Sequence, residues 1–421
     1  MSKAKTLNYC KRQFEGLLIN ALKTHSAVYL SGPRKTGKTV LVREVCEGNN
    51  YMSFNSPLLL ASVLAAPETF FHSLPKNDLN ILDDAHFAAD LFQYAEKLPG
   101  DTGNTHVHTN ENRYLSIGST RLSMLYDRGA VKKSHVKELK LLPFYAAERR
   151  LIGTNFLRRL LVGKLAPRTF ATCRLDEEIE QATFPELAMD AKIDRERWFD
   201  DFLSIVLQRD IQTVAAIRNP ERIVPLLVSL AARVGGLIND ASVIKEIGLD
   251  AKTYAKYKMA AFQTFLAFEI EPWSGPNLTK KRLLRQSKIY FIDTNLLCYV
   301  MRRGLREVLS DDPVTAGRLF ENFIATEIIK QAAFILGIKI RHFGMADGKD
   351  VDFAIEAEHG PVVGIDVSFK SVLSDRDFNN LKAMHSVLGK NFNRGIVIYA
   401  GKEQVEFSHG LWAVPVNALW E

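Results

Sequence analysis

Cysteine is scarce in this chain. Its four cysteines, Cys10, Cys46, Cys173 and Cys298, lie far apart and form no C-x-x-C pair. That spacing argues against a disulfide framework and a cysteine zinc site, and it suits a reducing compartment. No run of roughly eighteen apolar residues is present to span a bilayer. Residues 1–8 lack the apolar core of a secretion signal. A cytoplasmic protein without a membrane partner is therefore expected. Internal repeats and low-complexity tracts are also missing. Acidic residues are in slight deficit, 48 against 55 basic, for a net charge of +7. So thin an excess tilts only modestly toward a polyanionic partner such as DNA.

What is present is enough for folded cores. Apolar residues make up 47% of 421, and a chain of that length divides into roughly two to three domains. The most informative stretch is Gly32-Pro33-Arg34-Lys35-Thr36-Gly37-Lys38-Thr39, which spells G-x-x-x-x-G-K-T without a mismatch. Residues 27–30 before it are apolar, as a buried strand requires, and residues 39–45 after it carry apolar side chains at helical spacing. Strand, glycine loop and helix stand in the order of a phosphate-binding loop. Gly32 and Gly37 let the backbone curl so that N–H groups face phosphate oxygens, and the helix adds the positive end of its dipole. Lys38 is placed to reach the β- and γ-phosphates and the Thr39 hydroxyl to ligate Mg²⁺. ATP and Mg²⁺ are the expected cofactors.

Leu79-Asn80-Ile81-Leu82-Asp83-Asp84 reads as an apolar strand ending in two carboxylates. It resembles a Walker B motif, in which Asp83 holds Mg²⁺ through a water and the next residue, normally Glu, deprotonates the attacking water. Asp84 is one methylene shorter, which implies either an adapted site or slow turnover. Residues 113–118 read as another central strand. Its tip, Ser119 or Thr120, matches the sensor position of AAA+ ATPases or is a plain polar strand end. Residues 134–142 supply the last strand. Arg128, in the turn before it, is either an arginine finger acting in trans or a solvated surface residue. His106 and His108, in the polar stretch 101–113, have no further ligands around them and read as an exposed loop.

From about residue 143 the alternation of strand and helix gives way to helix, with main helices at 195–216, 220–237 and 251–268. Asn239-Asp240 can cap a short helix at 241–247, and Asp250 can cap the next. Extended segments at 267–272 and 285–292 complete the order of a winged helix-turn-helix, with Lys252, Lys256 and Lys258 as phosphate contacts. Lys280, Lys281, Arg282, Arg285, Lys288, Arg302, Arg303 and Arg306 extend that basic face. The same run also fits a protein-binding or solvated surface.

The last third returns to mixed α/β. Asp352 and Asp366 on adjacent strands, with Glu321 on a preceding helix, resemble the core of PD-(D/E)xK nucleases. There the carboxylates bind Mg²⁺ and a lysine two residues after the second acid activates water. Ser368 occupies that lysine position. Lys370, on the same face of an extended strand, is a substitute if the strand tip bends. Three outcomes are open: an active nuclease with a migrated lysine, a binding fold without catalysis, and no nuclease at all.

The phosphate loop, Arg209-Asp210-Ile211, Ser287-Lys288-Ile289-Tyr290-Phe291-Ile292-Asp293-Thr294 and Lys349-Asp350-Val351-Asp352-Phe353 recur together in one family. The chain resembles the bacterial and archaeal AAA+ ATP-binding proteins whose C-terminal half is domain of unknown function 4143. The resemblance implies an α/β P-loop NTPase (AAA+/ASCE) parallel sheet over 1–150. It also implies a helical region with a winged helix-turn-helix over 151–310 and a small α/β restriction-endonuclease-like domain over 311–421. The resemblance sharpens architecture more than activity; the activity expected from the residues is ATP hydrolysis coupled to DNA, with Lys38, Asp84, Ser119 and Arg128 as the catalytic set. A homo-oligomer is implied because AAA+ sites usually lie between subunits. A signalling or scaffold ATPase bound to a protein partner is the alternative.

Overall fold

The computed structural model describes residues 9–76, 78–92, 113–124, 136–214, 217, 219–274, 286–345, 347–357 and 360–421. Five strands, Ala27–Ser31 (β1), Asn50–Ser53 (β2), Leu79–Asp83 (β3), Arg113–Gly118 (β4) and Lys137–Lys140 (β5), form one parallel sheet in the order β2-β3-β4-β1-β5. β1 and β3 are buried at every position, because a parallel sheet is covered on both faces and needs no polar alternation. On one face, Glu15–Thr24 (α1) and Lys38–Val45 (α2) pack Leu18, Leu22, Leu41 and Val42 against Val28, Leu30, Ile81 and Ile117. The other face sets Tyr29 and Leu82 against Phe92 and Met124. The phosphate loop follows β1 at the carboxyl end of the sheet, where the tips of β3 and β4 also converge. Open α/β sheets bind their ligands in that crevice.

A short strand, Arg168–Thr169 (β6), leads to the helical region. Arg195–Ile205 (α3) runs into a π-helical turn, Val206–Asp210, and then Ile223–Ala231 (α4), Asp240–Ile247 (α5) and Ala251–Gln263 (α6) follow. The expected caps form. Asn239 Oδ1 accepts the Ser242 N–H at 3.2 Å, and Asp250 Oδ1 accepts the Thr253 N–H at 2.9 Å. α6 is shorter than its apolar spacing predicts. Phe265 adopts a left-handed φ of 61°, which turns the chain out of the helix into Ala267–Ile270 (β7). β7 pairs antiparallel with Lys288–Phe291 (β8), and Leu237 bridges to Lys288 beside them.

Beyond Thr294–Met301 (α7), the 20-residue helix Pro313–Ala332 (α8) lies largely buried under the last sheet. That sheet contains Lys339–Gly344 (β9), Asp350–Glu356 (β10), Val362–Ser368 (β11), Phe392–Tyr399 (β12), Glu403–Ser408 (β13) and Leu411–Pro415 (β14). Its order is β6-β13-β14-β12-β11-β10-β9. Asn379–Leu388 (α9) packs Leu381 and Met384 over β11 and β12. Among the described residues, no helix is long and apolar enough to cross a membrane.

Candidate functional site

The phosphate loop is held closely. A Cβ on Gly32 would meet the Leu141 carbonyl oxygen at 2.1 Å, so only glycine passes under β5's exit. Lys38 Nζ donates to the Gly32 and Pro33 carbonyls at 2.9 and 2.7 Å. Burial, reinforced by the nearby Arg34 charge, pushes its pKa down to about 8. The buried Thr36 hydroxyl closes the turn on the Pro33 carbonyl at 2.9 Å.

Across the loop, Asp83 Oδ2 accepts the Thr39 hydroxyl at 2.7 Å and the Tyr51 hydroxyl at 2.5 Å, while Oδ1 accepts the Asp84 N–H at 2.8 Å. A hydroxyl and a carboxylate brought together at the end of a phosphate loop form a hard-oxygen set that fits Mg²⁺. Tyr51 escaped the sequence reading because β2 reaches Asp83 only through sheet pairing, Ser53 against Asp83. Burial, with the Asp83 charge, pushes the Tyr51 phenol up to about 12. Asp84 sits in a left-handed turn at φ 56°, with its Oδ1 3.9 Å from Arg34 Nη2. Ser119 is buried, and its N–H donates to His86 Nδ1 at 3.4 Å. Thr120 is also buried, and its carbonyl accepts the Tyr29 hydroxyl at 3.0 Å. Asp210 clamps Arg34 from the helical region. His86 was missed because nothing local marks it. Arg128, His106, His108, Lys280, Lys281, Arg282 and Arg285 lie outside the described residues.

The second acid cluster assembles, with a correction. Asp366 Oδ1 lies 3.4 Å from the Asp352 N, and Asp352 Oδ2 accepts the Val367 N–H at 2.9 Å. Glu321 Oε1 accepts the Tyr290 hydroxyl at 2.7 Å, and Gly235 lets it in, since a Cβ there would stand 2.7 Å from Glu321 Oε2. At the centre, however, is Lys288, expected from its sequence neighbours to be a phosphate contact on a wing. It is only 3% exposed, and its Nζ lies 2.5 Å from Asp350 Oδ2, 2.6 Å from Asp352 Oδ1 and 3.7 Å from Glu321 Oε1. The ammonium thus lies against Asp352 and Glu321, two of the three acids expected to bind Mg²⁺. Among the described residues, no group of three or more acidic, histidine or cysteine side chains is arranged to hold a metal ion.

The pKa directions in the cluster follow from burial and from the crowding of one cation with several carboxylates. Burial opposes the Lys288 charge, but Asp352, Glu321 and Asp350 hold its pKa well above the usual value. Burial and then the Asp352 charge push Glu321 up to about 8, and the same two causes raise Asp366. Asp350 is kept low by His342 and Lys288 despite its burial. Lys370, the expected substitute for the missing lysine, is paired elsewhere. Its side chain is 62% exposed and turns to Asp377 at 2.5 Å.

Of the other expected phosphate contacts, Lys258 is taken by Asp240 and Glu269 at 3.1 and 3.6 Å, Arg303 by Asp312 at 2.8 Å, and Arg306 by Glu180 at 3.0 Å. Lys252 and Arg302 are exposed.

The parallel five-stranded sheet, its G-x-x-x-x-G-K-T loop and the facing Thr39 and Asp83 define an AAA-type P-loop ATPase fold. Residues 24–149 match the family model of an AAA domain, residues 174–307 a domain of unknown function (DUF8612) and residues 316–419 a domain of unknown function (DUF4143). The chain thus carries an AAA domain followed by the DUF4143 domain that its motifs resemble. An uncharacterized protein of Mycobacterium tuberculosis is 23% identical over 412 residues, covering 97% of this chain and 84% of that protein. Among solved structures, the Walker-type ATPase of Pyrococcus abyssi is 12% identical, covers 72% of this chain and 98% of its own, and has a TM-score of 0.40. The RuvB Holliday junction branch migration motor of Thermotoga maritima is 16% identical, with coverages of 60% and 86% and a TM-score of 0.25.

Proposed function

We propose that this chain is a Mg²⁺-dependent ATPase that couples its nucleotide state to DNA binding, with the nuclease-like domain retained as a non-cleaving scaffold. The observation that carries the nucleotide part is the contact of Thr39 with Asp83 beside Lys38. Those two oxygens would hold Mg²⁺, which supplies charge neutralisation at the β- and γ-phosphates. Lys38 turns its remaining donor capacity to the phosphates, and the Asp84 carboxylate takes the proton of the water that attacks the γ-phosphorus. Ser119, at the tip of β4, orients that water.

The DNA part rests on α4, α5, α6 and the β7–β8 hairpin, in the order of a winged helix-turn-helix. Its link to the nucleotide site is direct. The Arg121 N–H donates to the Gln263 carbonyl at the end of α6 at 3.0 Å, and the Ser123 hydroxyl meets the Gln263 side chain at 3.1 Å. A shift at the tip of β4 therefore reaches α6 through two residues.

ATP hydrolysis measured across single- and double-stranded DNAs tests the reading, with stimulation expected. Indifference to DNA together with a stable protein complex would favour a signalling ATPase instead. One observation speaks for that second reading: a groove of about 900 Å³ between α3, α4 and α7, edged by the exposed Val224 and Val228.

A further inference from the structure

The phosphate loop carries three cations, and carboxylates of the helical region already hold two of them. Arg34 lays its guanidinium on both oxygens of Asp210, Nε to Oδ2 and Nη2 to Oδ1, at 2.6 Å each. Asp210 is 1% exposed and ends the π-helical turn after α3, an irregularity found frequently at functional sites. Its Oδ1 is also 3.4 Å from His86 Nε2, and His86 Nδ1 accepts the Ser119 N–H. The imidazole therefore carries its proton on Nε2 and donates to Asp210. Lys35, at φ 61°, reaches Glu186 Oε2 at 3.1 Å and lies 5.1 Å over the Trp198 ring. Glu186 is fixed in turn by the Trp198 indole N–H at 2.9 Å. Only Lys38 is bonded to backbone carbonyls rather than to a carboxylate.

A guanidinium presents the same two-pronged donor face to a carboxylate and to a phosphate. Asp210 thus offers Arg34, from within the protein, the acceptor pair that a triphosphate would offer from outside. Building on the nucleotide-binding reading above, we propose that Asp210, assisted by Glu186, is an internal competitor for the phosphates, and that ATP takes Arg34 from Asp210 and releases the π-turn from the loop. The driving force is electrostatic. Once Arg34 leaves, Asp210 is a buried carboxylate with a neutral imidazole as its remaining partner, an arrangement that favours movement of the turn toward water. His86 carries the same change to the backbone of Ser119. Arg34 Nη2 also stands 3.9 Å from Asp84, so its release alters the surroundings of the carboxylate that receives the proton. Coupling of this kind is reciprocal. A partner that draws α3 or the π-turn away tightens nucleotide binding by the factor with which ATP loosens the turn.

The test is titration of the full chain with a fluorescent ATP analogue and Mg²⁺, using the parent, Asp210→Asn, Glu186→Gln and Lys38→Ala, with the melting temperature of each. Asp210→Asn keeps the volume and removes the competing charge. It should bind at least about ten-fold more tightly than the parent, and Glu186→Gln should move the same way by less. In the unmodified protein, ATP should speed amide hydrogen exchange over residues 206–214. Binding by folded Asp210→Asn that is no tighter than the parent's overturns the competitor. So does unchanged exchange at 206–214 in a parent that binds ATP. If Asp210→Asn does not fold, Glu186→Gln and the exchange measurement decide. A parent that binds no ATP, or a Lys38→Ala variant that binds as well as the parent, removes the nucleotide site itself, a distinct result.

Discussion

Replacing Lys288 by methionine removes the cation from the centre of the second acid cluster while keeping nearly the same side-chain volume. The change therefore creates no cavity, and its cost is electrostatic. In the parent, the ammonium lies within 4 Å of Asp350, Asp352 and Glu321 and is 3% exposed. Breaking a buried ion pair by removing one partner costs about 3–5 kcal/mol. With each kcal/mol worth about 2–4 °C in a cooperative unit of 150–250 residues, the melting temperature should fall by about 6–20 °C at neutral pH. The loss should shrink on acidification. Without the cation, burial favours the protonated form of Asp350 more than in the parent, so the variant loses less stability than the parent as pH falls. In the parent, Asp350 has a depressed pKa, and its contribution is present above the unfolded carboxylate range and lost as pH falls below it. Thermal melts at pH 7, pH 5 and pH 3 read the loss and its shrinkage on acidification. In nucleotide-free protein, Mn²⁺ should also raise the melting temperature of Lys288→Met and not that of the parent, since a cation then has carboxylates to neutralise. A variant as stable as the parent at every one of these pH values, or a parent that Mn²⁺ stabilises equally, would refute the ammonium as the cluster's counter-ion.

Other outcomes follow from the same geometry. Lys38→Ala should abolish ATP binding and hydrolysis, and unchanged turnover would remove the site assignment. Tyr51→Phe takes one of the hydrogen bonds from Asp83 and should lower stability by about 0.5–1.5 kcal/mol, read by urea unfolding. Arg12→Met leaves the buried Glu148 without its cationic partner, 2.7 Å away, while the Gln13 N–H still donates to it, and frees the Thr36 carbonyl. A loss of about 3–5 kcal/mol is expected in the same assay. Glu321, with a folded pKa of about 8, destabilises the fold progressively as pH rises from the unfolded carboxylate range to about 8. Glu321→Gln should flatten that part of the stability–pH curve. Neither the parent nor Asp366→Ala should nick plasmid DNA in Mg²⁺, and cleavage by the parent alone would restore an active nuclease.

Much of the first site was legible in the residues because its parts are contiguous. The glycine loop, the strand before it and the helix after it need only neighbours in the chain, and so do the Asn239 and Asp250 caps. Asp83 was legible for a similar reason: a carboxylate at the end of an apolar strand has few places to go. Tyr51 and His86 were not, since an aromatic in a short strand and a histidine after Asp84 carry no local mark of what they will face.

The amino-acid sequence alone determined which segments are strand, loop and helix around the phosphate site, because backbone conformation and capping are settled within a few residues. Tertiary packing decided where the charges went. Lys288 looked like one of a solvated basic run, yet it is buried against an aspartate 64 positions away. Arg34 carried no mark of a partner beyond its place in the phosphate loop, yet it is held by an aspartate 176 positions away. The physical reason is that burying an ion depends on what distant segments bring to it, and a run of like charges reads the same whether its members end in water or opposite a carboxylate.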